Sequence, residues 1–124
     1  MTHDQALQAL QAALQSTALA GSRCEPDRLS QGQALPAIRW QVISATPTSD
    51  HCGNTEAGDD LRVQIDLYAA EYGQLRTLRT QALAALEAVT VFEGLRDAER
   101  PLPFDEDARA FRHSIDWIIS LSNL

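Results

Sequence analysis

Residues 60–69, DLRVQIDLYA, alternate apolar and polar side chains with a period of two. Leu61, Val63, Ile65 and Leu67 share one parity; Arg62, Gln64, Asp66 and Tyr68 share the other. An extended chain sorts its side chains this way, so the segment is a strand with one face in an apolar core and one face open to something polar. FRHSIDWIISL, residues 111–121, repeats the plan, and the two polar faces read Arg-x-Gln-x-Asp and Arg-x-Ser-x-Asp. The chain must therefore build a sheet covered on one side. What its charged side meets is water, a substrate or another copy of the chain.

Two amphipathic segments are available to cover the apolar side. HDQALQALQAALQSTALAG carries Leu7, Leu10, Leu14 and Ala18 on one helical stripe, with Gln8, Gln11 and Gln15 opposite. Thr2 or Asp4 can cap its start, and Gly21 is a natural stop. EYGQLRTLRTQALAALEAV forms the second helix, with Leu75, Leu78, Ala82, Leu86 and Val89 on the buried stripe and Arg76 and Arg79 on the polar side. Between them AIRWQVISA is a further strand, with Ile38, Trp40 and Val42 facing inward. Residues 22–36 are irregular apart from a short strand expected around 28–30. After the second helix, TVFEGL reads as a short strand and RDAERPLPFDEDA as a loop punctuated by two prolines. The order is α-β-β-α-β-β, with room for one more short strand early on. The expected class is α+β, with two helices packed on one face of a mainly antiparallel four- or five-stranded sheet and residues 1–124 forming one domain.

Composition narrows the functions. The chain carries a formal charge of −7, and its ten cations are all Arg. Without a basic cluster it is poorly suited to wrapping DNA or anionic lipid, because phosphate binding needs concentrated positive charge. The first twenty residues lack the basic start and apolar run of a signal peptide, and no stretch approaches the ~18 apolar residues of a membrane span. Cys24 and Cys52 are then expected as free thiols in a reducing cytoplasm.

A search for chemistry returns little. His51 and Cys52 are neighbours, not the two spaced pairs of a zinc site, and His3 and His113 stand apart. His113 falls on the inward parity of the last strand, where a hydrogen-bonded, partly buried imidazole is expected. Asp59-Asp60 and the acidic run at 105–107 lack the alternate spacing of a cation loop. The six glycines are scattered, so no phosphate loop or dinucleotide fingerprint forms. Trp40 and Trp117 sit at inward strand positions and are read as core. Neither a catalytic set nor a metal or cofactor site is expected.

The polar sheet face is the remaining signal. Antiparallel pairing of the 61–69 and 111–121 strands in one register sets Arg62 against Asp116, Asp66 against Arg112 and Gln64 against Ser114. Cross-strand ion pairs of this kind contribute roughly 0.2–1 kcal/mol each. They serve equally a solvated face that pins its own register and a face that packs on a neighbouring subunit, with Ile43, Tyr68 and Ile118 among the charges. The polar stretch 48–59 is longer than a hairpin turn needs, so it is expected to be either functional or mobile.

LPAIRWQVISATP, the polar loop after it, DLRVQIDLYA, EYGQLRTLRTQALAALEA and the closing FRHSIDWIISL together resemble the tail terminator, or tail-completion, family of long-tailed bacteriophages and prophages. The resemblance covers nearly the whole chain. It implies a non-enzymatic protein that forms a six-subunit ring on the finished tail tube, ends tube polymerisation and presents a surface to the head-side connector. The implied partners are further copies of itself, the tail-tube protein and the head-completion or connector protein. DNA passes through without specific binding, and no membrane is involved. Six copies at −7 each sum to about −42, which repels phosphates wherever that charge lines the lumen. The expected location is the bacterial cytoplasm during assembly and then the head–tail junction of the virion. The motifs transfer no contact residues. The sequence itself points to Arg39, Asp50, His51, Asp59, Asp60, Arg62, Asp66, Tyr68, Arg112 and Asp116 as the subunit or tube interface. Three other readings stand beside this one: a head–tail joining ring, an acidic inhibitor or immunity-type module for a basic partner, and a small enzyme around His51, Cys52 or the acidic loops.

Overall fold

The computed structural model describes residues 2–20, 23–27, 34–47 and 59–121. Helix α1 spans His3–Gln15. It starts with a reciprocal capping box, in which Gln5 N donates to the Thr2 hydroxyl at 3.2 Å and Thr2 N donates to Gln5 Oε1 at 3.0 Å. Its buried stripe is Ala6, Leu10 and Leu14. The helix closes at Ser16, so Ala18 of the expected stripe falls beyond it and is exposed; Gly21 lies outside the described residues.

Strand β1, Cys24–Pro26, runs parallel to β2, Ala37–Pro47. The strand expected around 28–30 lies outside the described residues. Strand β3, Asp59–Ala69, leads into helix α2, Tyr72–Glu87, and then to β4, Glu93–Asp105, and β5, Ala110–Ser120. The sheet is five-stranded and mixed, in the order β1-β2-β3-β5-β4. This is the α+β class expected, with a short first strand at Cys24–Pro26.

One parity of the sheet carries the core. Leu61, Val63, Ile65 and Leu67 of β3 and Ile115, Trp117 and Ile119 of β5 join Leu10, Leu14, Leu75, Leu78 and Leu86 in one buried cluster. Helix α2 lies on β3 and β5, and α1 lies against α2 and β1. Trp40 and Trp117 are buried, as their parity implies. Gly94 of β4 has no room for a side chain, because a Cβ there would come within 2.8 Å of Cε2 and Cζ2 of Trp117.

Three local expectations change. The segment read as a proline-marked loop is most of β4, the longest strand. It is an edge strand paired only with β5, so Pro101 and Pro103 cost it little, and bulges at 96–98 and 102–105 take up the irregularity. The β3–β5 register is displaced by two residues from the expected one: Gln64 faces Asp116, Asp66 faces Ser114 and Tyr68 faces Arg112. A shift of two leaves every side chain on its own face, so the apolar pattern could not distinguish the two registers. Val42 is exposed rather than inward, since β2 bulges between Val42 and Ser44 and its residues from Val42 to Pro47 are all exposed.

Candidate functional site

Among the described residues the parity of the sheet opposite the helices carries no covering layer, yet its centre is closed to solvent. Asp66 is 1% exposed and Ser114 0%. Long polar side chains from four strands produce this. Arg39 of β2 donates to Asp66 Oδ2 through Nε at 3.1 Å and also through Nη2. Gln64 Nε2 reaches both Asp66 oxygens at 3.0 and 3.2 Å. Arg62 bridges Asp97 at 2.7 Å and Asp116 at 3.5 Å, and Arg100 reaches the same Asp116 oxygen at 3.3 Å. Arg112 donates from Nε to the Pro103 carbonyl at 3.1 Å and stands 3.9 Å from Asp105. Beside them Tyr68 is half-buried; burial raises its phenol above the ordinary value, with the Arg39 charge opposing.

Arginines 39, 62, 100 and 112 thus meet aspartates 66, 97, 105 and 116. The open face is close to neutral by itself, so the −7 of the chain resides elsewhere. Part of it lies at the end of the sheet where β3 begins and β5 finishes. There Asp60, Glu87 and Glu93 surround a cavity of about 650 Å³ walled by Val89, Phe92, Leu95 and Ile118. Asp60 Oδ1 is buried in it without a hydrogen-bond partner. Asp59, next in chain, is bound by His3 Nε2 at 2.7 Å, which ties the start of α1 to the start of β3.

Of the ten residues singled out in the sequence, Arg39, Arg62, Asp66, Tyr68, Arg112 and Asp116 come together on the open face. Asp59 and Asp60 sit at the acidic end, and Asp50 and His51 lie outside the described residues. Arg62 and Asp116 do meet, but diagonally, and Asp66 takes Arg39 rather than Arg112. Asp97, Arg100 and Asp105 were missed because β4 read as a loop. Their signal was the alternation within LRDAERPL, obscured by a bulge.

On the helix side a second polar cluster lies at the margin of the core. Arg79 of α2 forks onto Glu99 at 2.6 and 2.8 Å, Arg96 adds a 3.0 Å contact, and His113 Nε2 lies 3.0 Å from Glu99 Oε1. The Arg79 bond chiefly, with His113 and Arg96 in support and burial opposing, holds the Glu99 carboxyl down at about 2. His113 is the bonded, buried imidazole expected from its parity. The Cys24 thiol is buried and pushed up to about 12 by that burial, so it is no nucleophile at neutral pH. Among the described residues no cluster of His, Cys, Asp or Glu is placed to hold a metal ion, and no helix is long and apolar enough to cross a membrane.

The family model of tail completion protein gp17 matches residues 5–119, and the chain belongs to that family. A solved chain from the virion of a native gene transfer agent particle shares the fold, with a TM-score of 0.56 at 20% identity, over 92% of this chain and 95% of that one. No curated protein matches the sequence. The protein is a non-enzymatic structural component of a phage-type tail, and it associates with other structural proteins of the virion.

Proposed function

We propose that the protein caps the tail tube as a ring of six copies, ends tube polymerisation there and offers the head connector its joint. The observation that carries this reading is the open sheet face in a member of a tail-completion family. Its charges are paired and its centre is shut from water although no other described element covers it. Such a face loses few water-exposed ionic contacts when another protein lies on it, because its buried charges already have partners. Arg39, Arg62, Asp66, Tyr68, Arg112 and Asp116 form this contact surface, and the contact with the tube is assigned to Asp50, His51, Asp59 and Asp60. The acidic balance leaves DNA free to pass through the ring. Assembly takes place in the bacterial cytoplasm, and the finished ring sits at the head–tail junction.

Light scattering across a concentration series, with and without polymerised tube protein, tests this. A species of about six subunits, or rings at tube ends in negative stain, is the expected result. A chain that stays monomeric and ignores tubes contradicts it.

A further inference from the structure

The sheet leaves both of its edges open at the same end. On β2, Ile38 N donates to Arg23 O and Trp40 O accepts from Asp27 N, so these backbones point at β1 and away from β3. Strand β1 pairs only with residues 38–40, and beyond Trp40 no described strand lies on that side of β2. Leu121 N donates to Asp59 O, so the odd residues of β3 turn their backbones to β5 and the even ones to β2. Carried across the registers, this alternation turns Val42 and Ala45 outward on β2, and Gly94 and Arg96 outward on β4. These residues share rows. Ala45–Leu61–Ile119–Gly94 and Val42–Val63–Trp117–Arg96 each cross the sheet from one edge to the other. At the opposite end β1 covers β2, and the outward position on β4 is Pro101, which has no N–H to offer. The open stretches also hold three of the six large apolar side chains exposed among the described residues: Val42 at 41%, Ile43 at 47% and Leu95 at 63%.

We infer that neighbouring copies join edge to edge, the β2 edge of one pairing antiparallel with the β4 edge of the next. Ala45 and Val42 of one copy then face Gly94 and Arg96 of its neighbour, and the sheet continues across the joint. Strands β2 and β4 run in opposite directions within one sheet. A rotation about an axis along the strands therefore brings them together antiparallel and in the same rows. The β2 bulge between those rows sets Ile43 and Ser44 against Leu95 alone, as it sets them against Arg62 within the sheet. Such a joint gives outward N–H and C=O groups a partner and covers Val42, Ile43 and Leu95, at edges where a solitary sheet would carry charge. The occupant is a second copy because the two edges fit each other better than either fits itself. Two β4 edges would set Glu93, Asp97 and Glu99 against the same carboxylates, whereas residues 42–47 carry no charge. Two β2 edges would leave Leu95 uncovered. Like edges also stop at two copies, whereas unlike edges repeat and close into a ring. The inference rests on the ring reading and adds to it which edges meet.

A proline at an outward N–H removes a donor from the joint and none from the sheet's own ladder, which makes it the test. Arg96→Pro blocks the β4 edge and Ala45→Pro the β2 edge; Arg96→Ala keeps the N–H and serves as the control. Under the conditions in which the parent assembles, each proline variant is expected to weaken self-association by roughly tenfold or more, and the control to leave it unchanged. An equimolar mixture of the two proline variants holds one intact joint and no second one, so light scattering gives a species of two copies that grows no further. Circular dichroism and melting check that the variants are folded. Where a proline is not accepted, Leu95→Lys and Val42→Lys read the same two edges by placing a charge on them. If only Arg96→Pro fails to assemble, two β4 edges meet; if only Ala45→Pro fails, two β2 edges meet; either result overturns the joint. Loss of assembly in Arg96→Ala assigns the effect to the guanidinium and overturns it too. If both proline variants assemble like the parent, the edge joint is wrong while the ring stands. If both fail and their mixture forms no pair, these edges do not meet each other. A parent that stays monomeric even with tubes overturns the ring, and this joint with it.

Discussion

The two faces of the sheet exclude water by opposite means. Under the helices, Leu61, Val63, Ile65, Ile115 and Ile119 are shut away because Leu10, Leu14, Leu78 and Leu86 lie on them. On the open side Asp66 and Ser114 are just as inaccessible, but arginine arms and a glutamine amide laid along the sheet do the covering. The first kind of closure comes from apolar area and suits a permanent interior. The second keeps the charged groups paired at a surface, although the Ser114 hydroxyl beneath them finds no hydrogen-bond partner. The difference teaches how one small sheet closes both of its faces to water.

Breaking each face in turn separates the two. The largest loss is expected on the covered side. Leu78→Ala removes a fully buried side chain and is expected to cost about 3–5 kcal/mol in denaturant unfolding, with little dependence on salt. On the open side, Arg39→Ala strips the principal partner from a carboxylate that is 2% exposed. About 3 kcal/mol is expected, because a buried charge is left unpaired. A cost near zero would mean that water, and not Arg39, satisfies Asp66.

Smaller effects sharpen the comparison at the margins. Glu99 titrates well below its ordinary 4.5, at about 2, so its contribution to stability is complete above about 4.5 and is lost as the pH falls towards 2. Melting temperatures of Glu99→Gln should therefore fall less steeply than those of the parent through that window, and parallel slopes would refute the Arg79–Glu99–His113 clamp. The smallest stability change belongs to Arg62→Ala, which removes an ion pair with Asp97 that is more than a third exposed on both sides and a longer contact to Asp116; about 1 kcal/mol is expected. Assembly should suffer far more than stability in that variant, and unaltered assembly would remove the open face from the interface.

Much of this organisation was legible in the sequence, for reasons that differ by region. The 61–69 alternation and the leucine stripes of both helices fix which side chains are inside, because periodicity is a local property that packing has to respect. The register of β3 on β5 is not local: sliding by two residues preserves both faces, so the choice falls to bulges and turns elsewhere. Strand β4 was hidden by its own prolines, which signal a loop to anyone reading along the chain and are tolerated only because the strand lies at an edge. That concealed three of the five ion pairs of the open face, since Asp97, Arg100 and Asp105 are the partners of Arg62, Asp116 and Arg112. The acidic cavity was equally out of reach, because it joins Asp60, Glu87 and Glu93 from three separate elements.

The central claim is that this protein ends a tube, and the length of tubes grown in its presence tests it most directly. Tail-tube protein polymerised with increasing amounts of the chain should give shorter tubes, each with extra density at one end, and Arg62→Glu should shift the effect to higher concentration. Tubes that keep their length and bare ends at every ratio would contradict the account.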